Sequence, residues 1–208
     1  MKEASELLEN GLKELSITYT SLEISAFLTY LEELKKWNRA HNLTGLKTDR
    51  DIIIKHFLDS LLFIKVLPDN VRTVADVGSG AGFPGIPMKI VNPLLEMFLI
   101  EPSQKKAIFL RHICSKLGLK KIEIINKRIE HIDVLRVDAA VTRALFSISD
   151  FIRKAEGILH EKGILILNKG PKLEEEIQKI LSKKISVKDL KLPFEDIIRH
   201  MVIVKTYL

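Results

Sequence analysis

The stretch from Asp76 to Gly85, DVGSGAGFPG, contains four glycines within eight residues. It follows an apolar run typical of a buried strand and precedes the segment 86–90, which is typical of a helix. Glycine allows backbone conformations that other residues avoid, and it lets a ligand approach the main chain closely. In open α/β sheets, ligands bind at the carboxyl ends of strands, so we predict that residues 76–85 hold a ligand.

The chain after residue 71 alternates between short apolar, β-branched runs and helical segments. Such alternation predicts an α/β fold with a doubly wound, mostly parallel sheet. A helix is predicted over Ser103–Leu117, because Gly118 suits the position just after a helix end. An antiparallel strand is predicted late in the chain, within Ile197–Tyr207. The other predicted strands are Thr73–Val77, Leu95–Ile100, Ile122–Ile125, Asp138–Thr142 and Ile164–Leu167.

Residues 1–67 have a helical pattern instead. Apolar residues recur at three- and four-residue steps in two segments, separated by a polar joint, WNRAHNLTGL, at residues 37–46. We therefore predict an N-terminal helical extension, residues 1–67, packed as a cap on an α/β core of residues 68–208. The recurring apolar residues are Phe27, Leu31, Leu34 and Trp37, then Ile54, Phe57 or Leu58, Leu61 and Ile64.

Composition narrows the class of protein. The 208 residues carry a net charge of +6, which is compatible with a polyanionic partner such as RNA but is equally common in proteins that bind none. No apolar run reaches about 18 residues and the N-terminus lacks an apolar signal core, so no membrane span or secretion signal is expected. The single cysteine, Cys114, fits a cytoplasmic protein, and no Cys/His cluster has metal-ligand spacing. Nothing in the sequence demands more than a monomer.

The identity of the loop's ligand depends on the carboxylate before the glycines. A P-loop is excluded, but Gly80–Gly85 matches the dinucleotide fingerprint. Dinucleotide sites place a pyrophosphate at the helix N-terminus, and Asp76 would oppose that anion. S-adenosylmethionine is cationic and phosphate-free, so Asp76 favours it. Glu101 can accept hydrogen bonds from the ribose hydroxyls of either ligand, so an NAD(P)-dependent oxidoreductase stays open here.

A longer set of motifs is more specific than the loop alone. Together these motifs resemble the bacterial 16S ribosomal RNA guanine-N7 methyltransferases of the small subunit, the glucose-inhibited division protein B family of class I S-adenosylmethionine-dependent methyltransferases. The resemblance covers residues 20–205. The motifs are WNRAHNLTGL, IIKHFLDSLL, DVGSGAGFPGIPMKI, VTRA, LNKG and IRHMVIVK.

The resemblance implies a seven-stranded Rossmann-like sheet that binds S-adenosylmethionine and methylates N7 of a guanine in 16S rRNA of the small ribosomal subunit, near the decoding site. A non-catalytic RNA-binding or assembly factor that keeps the fold is the other alternative. The implied cofactor residues are Asp76, Gly78, Gly80, Phe83, Glu101 facing the ribose, Ile129 and Glu130 bracketing the adenine, and Arg143.

The expected chemistry requires orientation and no proton abstraction. Guanine N7 carries a lone pair and no proton, so a donor to O6 helps more than a general base. We assign this orienting role to Arg143 and Lys169, both near strand ends. Cys114 lies inside a predicted helix, so a cysteine-dependent attack on a pyrimidine does not fit. Predicted substrate-binding residues are Asn42, His56, Asp59 and Arg199, and further candidates for phosphate contact are Arg39, Lys47, Arg50, Lys105, Lys106 and Arg111.

Overall fold

A computed structural model describes residues 2–143, 145–170, 173–177 and 184–205. The N-terminal part is helical, and the segment after the joint changes from α- to π-helix and back to α-helix. The helices are α1 (Lys2–Glu14), α2 (Ser21–His41), α3 (Asp49–Ile52), a π-helical segment (Ile53–Leu58), α4 (Asp59–Leu61), α5 (Gly85–Val91), α6 (Gln104–Lys116), α7 (Ile148–Ala155) and α8 (Leu173–Ile177), with 3-10 turns at Ile129–His131 and Glu156–Ile158.

The described strands form one seven-stranded sheet in the order β3-β2-β1-β4-β5-β7-β6. All pairings are parallel except those of β7, which is antiparallel to β5 and β6. The predicted doubly wound sheet and its late antiparallel strand are confirmed, although residues 206 and 207 of that prediction lie outside the described ones. The strands are β1 (Thr73–Val77), β2 (Glu96–Ile100), β3 (Ile122–Ile125), β4 (Val137–Arg143), β5 (Leu159–Lys169), β6 (Lys184–Lys191) and β7 (Ile198–Lys205).

The strand that the sequence did not reveal is β6. It lies at the edge of the sheet, and most of its residues are exposed. An edge strand that buries little apolar surface lacks the β-branched run that marks an interior strand of a parallel sheet.

The N-terminal helices share a hydrophobic core with one face of the sheet. Phe27, Leu31 and Leu34 of α2 are buried in the same cluster as Ile86 of α5 and Met97 of β2. Helix α2 begins at a capping box, in which Thr20 and Glu23 satisfy each other's backbone N–H groups. The N-terminal helices therefore stabilise the sheet directly. The division into a cap (1–67) and a core (68–208) stays a prediction.

Alternation along the strands assigns side chains to opposite faces of the sheet. Val141 of β4 is buried in the core that contains the cap helices, whereas Leu165 and Leu167 of β5 are buried against α7. Arg143 pairs with Asn168 across β4 and β5, so their side chains lie on the same face of the sheet. Side chains alternate along a strand, and the next residue, Lys169, therefore projects from the opposite face. In the described ranges no helix is both long and apolar enough to cross a membrane.

Candidate active site

The glycine-rich loop follows β1, whose neighbours are β2 on one side and β4 on the other. The backbone φ angles of Gly78, Gly80 and Gly82 are +75°, +59° and +103°, in the region that side chains disfavour. Most N–H groups of the loop donate to acceptors within the fold, so they are not free to cradle a phosphate. The donating residues are Gly78 and Ser79 to Ile100 O, Gly80 to Glu101, Gly82 and Phe83 to Ser79 O, and Gly85 to Asp76.

Asp76 lies fully buried beneath this loop. Its Oδ2 atom accepts a hydrogen bond of 2.8 Å from the N–H group of Gly85, the first residue of α5, and its Oδ1 atom has no hydrogen-bond partner among the described residues. Burial raises the pKa of Asp76 to about 7. The carboxyl group thus occupies the helix N-terminus that binds a pyrophosphate in dinucleotide folds.

Glu101 follows β2 and is buried. Its Oε2 atom accepts from the N–H group of Gly80 and its Oε1 atom from that of Ser103, both at 2.8 Å. A carboxylate has about four acceptor sites, so acceptor capacity is left for two hydroxyl groups. Its position is fixed further by Asn126, whose Nδ2 atom donates to Glu101 O across 2.8 Å.

A cavity of about 290 Å³ opens beside Gly78 at the carboxyl ends of β1 and β2. Glu130 forms an ion pair with Lys154 at this cavity, and the hydrogen bond from Lys154 lowers the pKa of Glu130. The side chain of Leu145 covers Gly78, since a Cβ atom there would lie 2.2 Å from Leu145 Cδ2. The lining residues are Val77, Gly78, Ile100, Pro102, Arg128, Ile129, Glu130, Leu145, Phe146 and Lys154.

Phe83 is not among the residues that line this cavity. Its ring is buried on the cap side of the sheet, stacked on His56 at 4.3 Å and on Tyr30 at 5.4 Å between ring centroids. The guanidinium group of Arg143 lies over the same ring at 5.2 Å. The structure thus brings Phe83 to the predicted substrate-binding residues and not to the cavity that Ile129 and Glu130 line.

Arg143, the last residue of β4, connects the sheet to the π-helical segment. Its Nη1 atom donates to Lys55 O at 2.8 Å and approaches Asp59 Oδ2 at 3.5 Å. Its Nη2 atom lies 2.9 Å from His56 Nδ1. These contacts use three of the five guanidinium N–H donors.

His56 is neutral in this arrangement. Burial and the charge of Arg143 lower its pKa to about 3. Because arginine is only a donor, Nδ1 of His56 must accept, which places the proton on Nε2. That nitrogen lies 2.6 Å from Oγ1 of Thr44, in the joint between α2 and α3.

Asp59 is the buried acid at the centre of this cluster. Its Oδ1 atom accepts from Nε of Arg199, on β7, at 2.7 Å and from Nδ2 of Asn168, on β5, at 3.3 Å. Its side chain therefore links the cap to three neighbouring strands, including β4 through Arg143. The structure brings together the predicted residues His56, Asp59, Arg143 and Arg199.

Lys169 is separated from this cluster by the sheet. Its Nζ atom donates to Phe146 O at 2.6 Å and lies 2.9 Å from a carboxylate oxygen of Glu176. Glu176 also accepts from the N–H group of Ile148 at 2.8 Å. Lys169 and Glu176 thus fix the segment 145–148, which contributes Leu145 and Phe146 to the cavity.

Asn42 lies in the joint, away from the Arg143 cluster. It has a left-handed conformation at the end of α2, and its side chain borders a second cavity of about 590 Å³. Thr44 lines this cavity and also contacts His56, so it connects the two regions. The lining residues are Lys35, Asn38, Arg39, Asn42, Thr44, Gly45, Leu46 and Lys47.

Several residues at the site were not predicted from the sequence, although Thr44 and Asn168 lie within recognised motifs. Tyr30 bonds the loop, Thr44 bonds His56 and Asn168 bonds Asp59, each from a different part of the chain. Tyr30 lies on the apolar stripe of α2, where an aromatic residue indicates only a core position. Leu145 and Phe146 follow a recognised motif, but nothing in that motif indicates that they cover the cavity.

The family model described as rRNA small subunit methyltransferase G matches residues 23–201. The chain belongs to this family. It is 37% identical to the ribosomal RNA small subunit methyltransferase G of Thermoanaerobacter sp. (strain X514), covering 96% of this chain and 89% of that protein. It is 33% identical to the protein of that name from Neisseria meningitidis serogroup B, covering 97% and 98%.

Solved structures that resemble the chain share its fold. A SAM-dependent methyltransferase from Aquifex aeolicus has a TM-score of 0.54 and 20% identity, covering 74% of this chain and 92% of that one. An rRNA methylase from Streptococcus thermophilus has a TM-score of 0.51 and 15% identity, covering 72% and 95%. The seven-stranded sheet of this family member is thus the Rossmann-like sheet of methyltransferases.

The residues present fit S-adenosylmethionine, the cofactor of this family. The unpartnered Oδ1 atom of Asp76 offers an acceptor in a buried position, and Glu101 keeps acceptor capacity for two hydroxyls. A Cβ atom at Gly80 would meet no atom closer than 3.9 Å, so open space lies beside the backbone there. In the described part of the chain, no group of three or more His, Cys, Asp or Glu side chains is placed to hold a metal ion.

Proposed function

We propose that this chain transfers the methyl group of S-adenosylmethionine to N7 of a guanine in 16S rRNA of the small ribosomal subunit. The observation that carries the proposal is the hydrogen bond between Asp76 and Gly85, because it places a carboxyl group where a dinucleotide fold binds phosphate. The loop that binds nucleosides in this fold is therefore suited to a cationic ligand without phosphate. Family membership supplies the substrate class.

The cofactor would be held by residues on the open side of the loop. We assign Glu101 to the ribose hydroxyls, Ile129 and Glu130 to the adenine, and the backbone of Gly78 and Gly80 to the nucleoside. Asp76 and Arg143 lie deeper and set the electrostatic potential at the loop. When bound, S-adenosylmethionine supplies an electrophilic methyl group on a sulfonium, and the protein's task is alignment of the nucleophile with it.

Guanine N7 needs no general base. His56 would be a weak one, because its pKa is about 3 and both of its ring nitrogens are engaged, with Arg143 and Thr44. Arg143 has two N–H donors without a described partner, which suits a hydrogen bond to guanine O6. We propose that Arg143 orients the base and that Asp59 and Arg199 hold this arginine in place. Lys169 then acts from the other face, by fixing the segment 145–148.

The joint is the proposed contact surface for RNA. Arg39, Asn42 and Lys47 border its cavity, and no described residue pairs with the charges of Arg39 and Lys47. Phosphate contacts release counterions, so binding of 16S rRNA should weaken as salt rises. Arg39→Ala and Lys47→Ala should each reduce the slope of log Kd against log salt by about 1, whereas Lys120→Ala, at an exposed position outside the joint, should leave it unchanged. A salt-independent affinity would contradict this surface.

A methyl transfer assay tests the function itself. Radiolabelled S-adenosylmethionine is incubated with unmodified small subunits, naked 16S rRNA and RNA fragments, and N7-methylguanine is located by borohydride and aniline cleavage. Calorimetry with S-adenosylmethionine and NAD separates the methyltransferase from an oxidoreductase. Cofactor and RNA binding without turnover would indicate an assembly factor instead.

We propose that the protein acts on ribosomal subunits in the cytoplasm as a monomer, without a metal ion. Sedimentation checks the oligomeric state, and metal analysis checks the absence of a metal ion.

A further inference from the structure

The N-terminal cap contacts the centre of the glycine-rich loop through one hydroxyl group. Oη of Tyr30, on α2, donates a hydrogen bond of 2.5 Å to the carbonyl oxygen of Ala81. Both residues are buried, and they lie 51 positions apart in the sequence. Ala81 stands between Gly80 and Gly82, two residues with positive φ angles. A helix outside the α/β core thus bonds the loop at the point where its backbone is most adaptable.

The position of this hydroxyl is fixed by its surroundings. The ring of Tyr30 is stacked between Phe57 and Phe83, at centroid distances of 5.2 and 5.4 Å. Burial raises the pKa of Tyr30 well above its ordinary value, so the hydroxyl stays a donor. A Cβ atom at Gly82 would lie 2.7 Å from Oη, which shows how closely the loop fits around it.

Other hydrogen bonds of the loop are donated by its N–H groups. Gly78 and Ser79 donate to Ile100 O, Gly82 and Phe83 donate to Ser79 O, and Gly85 donates to Asp76. The carbonyl group of Ala81 has no other described partner than Tyr30. A buried carbonyl without a partner is unfavourable, so removal of this donor would loosen the peptide that joins Ala81 to Gly82 and leave it held by the hydrogen bond from the Gly82 N–H group to Ser79 O.

We propose that the Tyr30 hydroxyl is a positioning group for cofactor binding. By fixing the Ala81 peptide, it keeps the N–H group of Gly80 on Oε2 of Glu101 and thereby holds that carboxylate in place for the ribose. This inference rests on the proposed S-adenosylmethionine-dependent function. It makes the cap part of the cofactor site as well as part of the proposed RNA surface.

Tyr30→Phe is the direct test, because it removes one oxygen atom and keeps the stacked ring. Thr73→Val is the matched control, since it removes a hydroxyl bonded to Asp138 at the opposite end of β1. Calorimetry should show an affinity for S-adenosylmethionine about tenfold lower in Tyr30→Phe, as expected for one buried hydrogen bond. The KM for S-adenosylmethionine should rise while kcat at saturation stays near wild type. Thr73→Val should keep the wild-type affinity, whatever its effect on stability.

Hydrogen exchange of the ligand-free protein gives a second measurement that needs no cofactor. Amides of residues 79–83 should exchange at least about tenfold faster in Tyr30→Phe than in wild type, with residues 97–100 of β2 as the internal reference. Unchanged affinity together with unchanged loop exchange in Tyr30→Phe would overturn the positioning role. A wild-type protein that binds no S-adenosylmethionine would instead refute the proposed function, while a faster-exchanging loop would still show the effect of Tyr30 on it.

Discussion

Arg143 donates a hydrogen bond of 2.9 Å to His56 and thereby joins the last residue of β4 to the π-helical segment of the cap. The two residues lie 87 positions apart, and both are stacked against the ring of Phe83. This pairing requires an uncharged imidazole, because a protonated His56 would face the guanidinium with a second positive charge.

The stability of the protein should depend on pH through His56. The pKa of His56 is about 3 in the folded protein against an ordinary value of 6.5, so between these pH values the unfolded chain binds more protons. The free energy of unfolding should therefore fall as the pH drops below 6.5, by up to about 1.4 kcal/mol per pH unit from this group. Denaturant unfolding of wild type and His56→Gln from pH 4 to 8 measures it.

The difference between these two proteins isolates His56. Asp76 has a raised folded pKa, so its contribution to the free energy of unfolding has the opposite pH dependence. It falls as the pH rises from 3.8, the ordinary pKa, to about 7 and is constant above that, but it is present in both proteins. Above pH 7 the difference in the free energy of unfolding should be constant. If the free energies of unfolding of the two proteins changed in parallel below pH 6.5, the imidazole of His56 would be protonated equally in the folded and unfolded states.

Loss of the Asp59 charge should be strongly destabilising. Asp59→Asn leaves Arg143 and Arg199 without their shared buried carboxylate, and breaking one partner of a buried pair costs about 3 kcal/mol or more. Asp196→Asn is the control, since Asp196 is fully exposed and lies 3.7 Å from Lys191. Chemical denaturation measures both. Equal stability of the two variants would show that the Asp59 cluster contributes nothing to stability.

Glu101→Gln should weaken cofactor binding. A glutamine offers one acceptor oxygen and would turn an NH2 group towards the N–H group of either Gly80 or Ser103. Hydrogen bonds to a charged group contribute about 1.5–3 kcal/mol. Their loss corresponds to an affinity for S-adenosylmethionine that is lower by about ten- to a hundredfold. Calorimetry checks the change against Glu123→Gln, an exposed acid on β3, which should bind like wild type.

Lys169→Met should loosen the segment after β4 without altering the Arg143 cluster. The variant loses the hydrogen bond to Phe146 O and the ion pair with Glu176. Its free energy of unfolding should therefore be lower than that of wild type by about 2 kcal/mol. Faster hydrogen exchange in residues 145–148 should accompany weaker S-adenosylmethionine binding. Lys162→Met, at an exposed position on the same strand, is the control. A change in RNA affinity alone would contradict this role and indicate that Lys169 contacts the guanine directly, as the sequence analysis predicts.

Local patterns in the sequence predict the sheet and the place of a ligand. Alternating strand and helix segments predict the sheet, and this prediction is confirmed because period and spacing are local properties. The glycines after the first strand, with Asp76 and Glu101, predict where a nucleoside binds, because the end of a parallel strand is a fixed place in such a sheet, and they favour one without phosphate. β6 escaped detection because an exposed edge strand carries little apolar pattern.

Only the tertiary structure decided which side chains meet. Asp59 and Arg199 lie 140 positions apart, and their contact depends on how the cap packs against β5 and β7. The separation of Arg143 from Lys169 follows from strand register, since a shift of one residue moves a side chain to the other face. The sequence by itself determined the sheet except for β6, and it favoured one ligand class for the loop. Packing between distant segments determined the Arg143 cluster and the bond from Tyr30, because hydrogen bonds depend on distances that no local pattern encodes.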